Sequence, residues 1–321
     1  MAGIWVYAEV GPEGPATSAL ELLTKARTLG GEVAAVALGP GATAASPALG
    51  EHGAAKVYAS DDPVYADVVG QPAAHVLAEL ARDHAPNMIL FPSSHEARDV
   101  AGRLQAKTGS TLMGNASDVL GLDRAVTQIF GDTQVVEVVL EGPEPKLVLV
   151  RPKSFLAEPA GGTATVVSVE VDVPEELRRA RRVERHEEAA SGPKLEEARV
   201  VVSGGRGLQD PSNLSLLDRL AAAIGGAAVG ATRAIVDAGW VPYNQQVGQT
   251  GKTVKPEVYL AIGISGATQH VVGMRGSRRT VAINKDPDAP IFGLADLGVV
   301  GDALALVPKL IEEIERRKAA G

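Results

Sequence analysis

The chain has 321 residues, 45% hydrophobic and 22% charged, which is enough to bury a core in two ordinary domains and too apolar for a disordered chain. The net charge of −8, from 31 basic and 39 acidic residues, argues against a nucleic-acid partner, because phosphate contacts need a basic face. No cysteine is present, which excludes disulfides, thiolate metal sites, thiolate-held iron–sulfur clusters and Cys nucleophiles, so a redox role would need another cofactor.

The longest apolar stretches, such as residues 135–140, are far too short to span a bilayer, so the chain is not expected to be membrane-embedded. Residues 1–9 lack a basic leading region and a cleavage site, so they read as a first strand, and the default expectation is a cytoplasmic protein. Aromatics make up only 3%, which leaves Ala, Val and Leu to build the core. Together with 36 glycines, these small residues suit close helix–sheet packing.

Residues 4–9 and 32–38 are apolar runs of strand length, separated by a helical pattern over 18–29 that Gly30-Gly31 stops. A helical pattern over 74–83 leads to a buried strand over 87–91, and a further helix follows over about 96–107. This βαβ rhythm predicts a parallel sheet covered on both faces. From Asp118 the texture changes: 125–130, 134–140, 146–150 and 163–171 are strand-like, with turns at Gly131-Asp132 and over 141–145. An antiparallel or mixed extension of the sheet is expected there.

The charged stretch 175–188, followed by Ser191-Gly192-Pro193, reads as a solvated segment between domains, since interleaved acids argue against a nucleic-acid arm. The boundary is placed near residue 190. The second half restarts the pattern, with strands over 199–202, 257–264 and 279–283, a helix over 212–224 and a closing amphipathic helix over 302–317.

Five segments of the second half carry candidate chemistry. Ser203-Gly204-Gly205-Arg206-Gly207-Leu208 follows a strand; its glycines let backbone approach a ligand, and Arg206 offers a planar fork for phosphate or a flavin edge. A tight turn with a surface arginine is the plain alternative. In the segment 230–239, Thr232-Arg233 places a hydroxyl beside a cation, although a helical salt bridge from Arg233 to Asp237 accounts for it equally. Val247-Gly248-Gln249-Thr250-Gly251-Lys252 is rich in donors and is either a site or a polar loop. After the strand ending at Ile264, Ser265 is a candidate N-cap, and Gly266-Ala267-Thr268-Gln269-His270 would open a helix with its positive end toward an anion. His270 then faces the ligand or serves packing. Asn284 and Asp286 end a strand and could read ribose or pyrophosphate, or form an Asx-turn ahead of Pro287.

Taken together, these segments resemble the flavin-binding domain of electron transfer flavoprotein alpha subunits. The resemblance is dense over about residues 200–318 and includes Pro290-Ile291-Phe292 and the helix start at Asp302; over 1–190 it rests on βαβ order and length. Thr232 stands where the family commonly has Ser, and the hydroxyl is retained. The resemblance implies an α/β protein of two domains. Residues 1–190 would be a nucleotide-hydrolase-like parallel sheet with a mixed extension, acting as scaffold and partner surface, and residues 191–321 a doubly wound FAD-binding domain. It implies that Arg206, Arg233, Gln249, Thr250 and His270 approach the isoalloxazine ring, and that Thr232, Val247 and Gly248 also bind the cofactor. Ser265, Gly266, Ala267, Thr268, Gln269 and Asn284 would serve the ribityl and phosphate portion, and Asp302 the adenosine end. It further implies a beta-subunit partner, which in many members holds AMP. Donors would be acyl-CoA dehydrogenases of fatty acid β-oxidation or similar flavoproteins, and the acceptor a quinone oxidoreductase or another protein.

A unit charge 4 Å from a developing charge is worth about 4 kcal/mol at an effective dielectric of 20. At about 59 mV per decade, that is about 0.17 V before screening. Arg233 as a cation and His270 as a donor are expected to favour the reduced, anionic flavin in this way. The rival reading is an FAD- or NAD(P)-dependent oxidoreductase with its own substrate; it requires an acid or base beyond His270, and none is clearly placed. A nucleotide-binding role for the first domain is not supported by its first turn, 9–14, which lacks a phosphate motif.

Overall fold

The computed structural model describes residues 3–130, 133–184 and 192–319, in two compact units, Met1–Arg185 and His186–Gly321. The boundary expected near residue 190 and the turn at Gly131-Asp132 lie outside the described residues.

The first unit runs β1 (Gly3–Ala8), α1 (Thr17–Thr28), β2 (Glu32–Leu38), α2 (Ala42–Glu51), β3 (Lys56–Ser60), α3 (Gln71–His84), β4 (Met88–Pro92) and α4 (His95–Thr108). It continues with β5 (Leu112–Gly121), β6 (Arg124–Ile129), β7 (Gln134–Val139), β8 (Lys146–Val150) and β9 (Thr165–Ser168). The nine strands lie in the order β9-β3-β2-β1-β4-β8-β5-β6-β7. Pairing is parallel from β9 to β5 and antiparallel across β5-β6-β7, so the expected mixed extension is present.

The period-2 alternation of β1 splits the core. Ile4, Val6 and Ala8 face the layer holding Leu22, Leu23 and Leu49, while Trp5 and Tyr7 face Leu77, Val100 and Leu104. Helices α1 and α2 therefore cover one face, and α3 and α4 the other. At α4, Ser94 Oγ accepts from Ala97 N at 3.0 Å, capping the helix start.

Two expectations for this unit need correction. Residues 146–150 are not part of the antiparallel extension: β8 inserts between β4 and β5, parallel to both, because all five of its residues are buried, as a central strand requires. The described part of the charged stretch is not a free connector either. Residues Glu175–Arg178 form a 3₁₀ turn, Arg181 bridges to Val68, and Arg182 pairs with Glu96 at 3.3 Å. Leu177 packs against the α3–α4 layer. Residues 185–188 of that stretch lie outside the described residues.

The second unit runs β10 (Val200–Gly204), α5 (Ser215–Ile224), β11 (Ala228–Ala231), α6 (Arg233–Val236), β12 (Val258–Ile262), α7 (Thr268–Met274), β13 (Arg279–Asn284), β14 (Leu297–Val300) and α8 (Ala303–Ala319). Its five strands are all parallel, in the order β11-β10-β12-β13-β14. One face packs Val202, Leu260 and Ile262 against Leu217, Leu220, Val307 and Ile311 of α5 and α8. A fully buried leucine such as Leu217 contributes about 2 kcal/mol. The other face packs Val201, Tyr259 and Ala261 against Val247, Val254, Met274 and Ile291. Since β11 lies on one side of β10 and β12 on the other, the order reverses at β10. Open parallel sheets bind ligands beyond strand C-terminal ends at such a point.

Candidate functional site

Beyond the C-terminal ends of these strands lies a cavity of about 560 Å³, within the range of small-molecule sites. Its wall is made by the segments that follow four strands. Gly205, Arg206 and Gly207 follow β10; Thr232, Arg233, Ala234 and Asp237 follow β11; Gly263, Ile264 and Ser265 follow β12; and Asn284 and Asp286 close β13. Ala267, Gln269 and His270 complete it.

Close backbone approach shapes the floor. Gly207 N donates to Gly263 O at 2.9 Å, and a Cβ on Gly207 would meet Gly263 Cα at 2.6 Å. Gly263 itself has φ +63, a conformation that L side chains rarely adopt. The loops after β10 and β12 thus touch through glycine.

The cations differ in their surroundings. Arg206 is exposed and has no acidic partner among the described residues. Arg233 Nε lies 3.0 Å from Asp237 Oδ2, the i,i+4 pair that the sequence offered as an alternative; both side chains are more than half exposed, at 64% and 61%. Solvent and the counter-charge therefore reduce the full unit-charge effect expected of Arg233 to a small part of it.

The expected helix start is displaced. Helix α7 begins at Thr268 with Ala267 in the N-cap position, so Ser265 is not the cap. Gly266 has φ +88 and sits where a Cβ would meet Ile291 N at 2.3 Å, and Ile291 N bonds Ser265 O at 3.0 Å. That turn holds Ser265 outside the helix. With seven residues, α7 carries less aligned dipole than a long helix would.

His270 is buried, with both ring nitrogens engaged: Nδ1 lies 2.9 Å from Val247 O, and Nε2 lies 2.9 Å from Tyr259 Oη. Burial holds the imidazole far below its usual range, at about 4, and so neutral at neutral pH, although the bond to Val247 opposes the shift. Both ring nitrogens thus have partners within the protein, as the packing alternative expected, while the ring also borders the cavity.

Val247, Gly248, Gln249 and Thr250 do not line the cavity; they brace its wall. Val247 N donates to Ala231 O at 2.9 Å and Gln249 N to Gln269 O at 2.7 Å, while Gln246 Nε2 donates to Thr250 Oγ1 at 2.9 Å. Asn284 lines the wall but spends its amide on Ile264 O at 2.9 Å and on Asp286 N at 3.0 Å, the latter being the anticipated Asx-turn. Gly266, Thr268 and Asp302 are not in the wall; Asp302 Oδ1 accepts from Leu304 N at 3.0 Å and caps α8. Asp286, offered with Asn284 as a reader of ribose or pyrophosphate, lines the cavity; so do Asp237, which entered only as the salt-bridge partner of Arg233, and Ile264, which entered only as a strand end.

One polar atom in the wall is unsatisfied. Thr232 Oγ1 is buried and has no hydrogen-bond partner among the described residues, an arrangement costing about 1–3 kcal/mol unless a ligand supplies one. An orphan hydroxyl, two guanidinium groups and a glycine cradle together suit a phosphate-bearing ligand with a polar ring system, so FAD fits the residues present. Among the described residues, no group of three or more His, Asp or Glu side chains is gathered for a metal ion.

Residues 4–175 match the electron transfer flavoprotein domain, and residues 194–275 match the electron transfer flavoprotein FAD-binding domain, which spans most of the cavity wall. The chain is 43% identical over 300 residues to the electron transfer flavoprotein subunit alpha of Mycobacterium leprae, covering 93% of each chain. It is 44% identical over 300 residues to the subunit alpha of Mycobacterium tuberculosis, again covering 93% of each. With the subunit alpha of Thermoanaerobacterium thermosaccharolyticum it shares 38% identity over 328 residues, covering 98% of each. The chain belongs to the electron transfer flavoprotein alpha-subunit family.

Proposed function

We propose that this chain holds one FAD in the cavity of its second unit and, paired with a beta subunit, carries electrons between other proteins without turning over a substrate of its own. Donors are flavoprotein dehydrogenases such as acyl-CoA dehydrogenases, and the acceptor is a quinone oxidoreductase or another protein. The cytoplasm is the proposed location, and no helix among the described residues is long and apolar enough to cross a membrane. The observation that carries the reading is the buried Thr232 hydroxyl, which has no hydrogen-bond partner among the described residues and lies in the cavity wall inside the stretch that matches the FAD-binding domain.

FAD, when bound, supplies one- and two-electron chemistry at its isoalloxazine ring. Within that reading, Arg206 and Arg233 provide positive charge for phosphate or for the electron-rich edge of the ring, and Thr232 provides a hydroxyl. Backbone N–H groups from Ser265 to Gln269, with Asn284, serve the ribityl and phosphate portion, and Asp302 lies toward the adenosine end. Val247, Gly248, Gln249 and Thr250 keep that wall in place. The first unit acts as scaffold and partner surface.

The test uses the purified heterodimer with an acyl-CoA dehydrogenase and its acyl-CoA. Bleaching of the flavin band only when dehydrogenase and acyl-CoA are both present supports a shuttle. Bleaching by NAD(P)H or a small substrate alone, with catalytic turnover, would replace it by an oxidoreductase.

A further inference from the structure

Leu195 and Glu196 lie in the turn that leads into the second unit, ahead of β10. The turn closes on itself, with Glu197 N and Ala198 N both donating to Lys194 O at 3.1 Å. Leu195 is buried in the same core cluster as Val201, Val247 and Val254, so the turn is anchored to the sheet. Beside it, Glu196 Oε2 lies 2.9 Å from Lys252 Nζ. Lys252 closes the loop over 246–252: Lys252 N donates to Gln246 O at 2.7 Å, and Gly248 N to Lys252 O at 3.1 Å. That loop has no slack. A Cβ on Gly251 would meet Gln246 O at 2.3 Å, and a Cβ on Gly248 would meet Gln269 O at 2.6 Å. Gln249 N donates to that same Gln269 carbonyl, and Val247 N to Ala231 O, the residue before Thr232. Gln269 and Thr232 both line the cavity.

We infer that Glu196 is a positioning residue of the site: held in place by the Leu195 anchor, it pairs with Lys252 and clamps the 246–252 loop against Gln269 and β11. Close packing carries the constraint onward, because Gly248 cannot shift toward Gln269 without moving the cavity wall. Glu196 thus fixes that wall from outside and touches no ligand itself. The chain entering the second unit is in this way part of the support of the cavity. The effect is modest, since the paired side chains are 31% and 37% exposed and water screens part of their attraction. The consequence for FAD rests on the functional reading above; the clamp does not.

The test is amide hydrogen exchange of the FAD-free heterodimer together with FAD titration, on wild type, Glu196→Gln, Lys252→Gln and the double variant. Each single change is expected to speed exchange within 246–252 about threefold and to weaken FAD binding by a similar factor. Exchange in β10 and α5 stays as in wild type, which separates a local clamp from a general loss of stability. The double variant is expected to lose no more than either single one, because each removes the same contact. Unchanged exchange within 246–252 in Glu196→Gln overturns the inference, and so do losses that add in the double variant. Faster exchange with FAD affinity unmoved also overturns it, since the pair would then serve the fold alone. A wild type that binds no FAD would defeat the functional reading while leaving the exchange data to judge the clamp.

Discussion

Arg233 Nε lies 3.0 Å from Asp237 Oδ2, one helical turn further along the chain, and both side chains border the cavity. One of the two cations in the cavity wall thus carries its own counter-charge. Its influence on a bound flavin is the difference between two opposed and solvent-screened charges.

Removing either partner should therefore move the flavin potential in opposite directions. Arg233→Ala is expected to lower the midpoint potential and Asp237→Asn to raise it, each by about threefold to tenfold in the equilibrium, roughly 30–60 mV at 59 mV per decade. Spectroelectrochemistry on FAD-loaded heterodimer checks both. Equal potentials in all three proteins would remove Arg233 from any redox role.

Thr232→Val replaces a partnerless buried hydroxyl by a methyl group of the same shape. In the flavin-free protein it is expected to leave the melting temperature unchanged or slightly raised, since an unsatisfied polar group is lost. FAD affinity should fall about tenfold, a loss of about 1.4 kcal/mol for one hydrogen bond. Calorimetry with and without FAD separates the two effects. A fall in stability without FAD, with affinity unchanged, would mean that the hydroxyl serves the fold.

His270 supplies a pH signature. Its folded-state value of about 4 lies below the ordinary 6.5, so between the two the unfolded chain binds more protons and stability falls as the pH drops. At about 1.4 kcal/mol per tenfold step, the full window is worth about 3 kcal/mol. The contribution is complete above the upper value and is lost progressively toward the lower. His270→Gln, which cannot protonate, should show a smaller drop in melting temperature than wild type between neutral pH and pH values just above the lower limit. Parallel curves for the two proteins would contradict a neutral buried imidazole.

Much of the fold follows from local pattern. The apolar runs 4–9 and 32–38, and the helical spacing ahead of Gly30-Gly31, correspond to β1, β2 and α1 within a residue or two. Helix α2 escaped notice because ATAASPALGE is built of small residues with Pro47 inside, so it has little apolar contrast. Strand β11, AVGA, was hidden for the same reason, since Gly230 interrupts a run of only four residues. The place of β8 was not legible because burial on both faces is a property of its neighbours. At the site, glycine clusters marked where loops meet, but the Tyr259–His270 bond joins a strand interior to a helix start, a contact that local pattern does not reveal.

The most direct test of the account is the flavin content of the chain co-expressed and purified with its beta subunit. Denaturation releases the cofactor, and chromatography against an FAD standard measures the FAD assignable to each subunit. The account predicts one FAD per alpha chain, lost in Gly207→Leu, where a Cβ meeting Gly263 Cα at 2.6 Å must drive the loops after β10 and β12 apart. A folded heterodimer that is colourless and takes up no added FAD would contradict it.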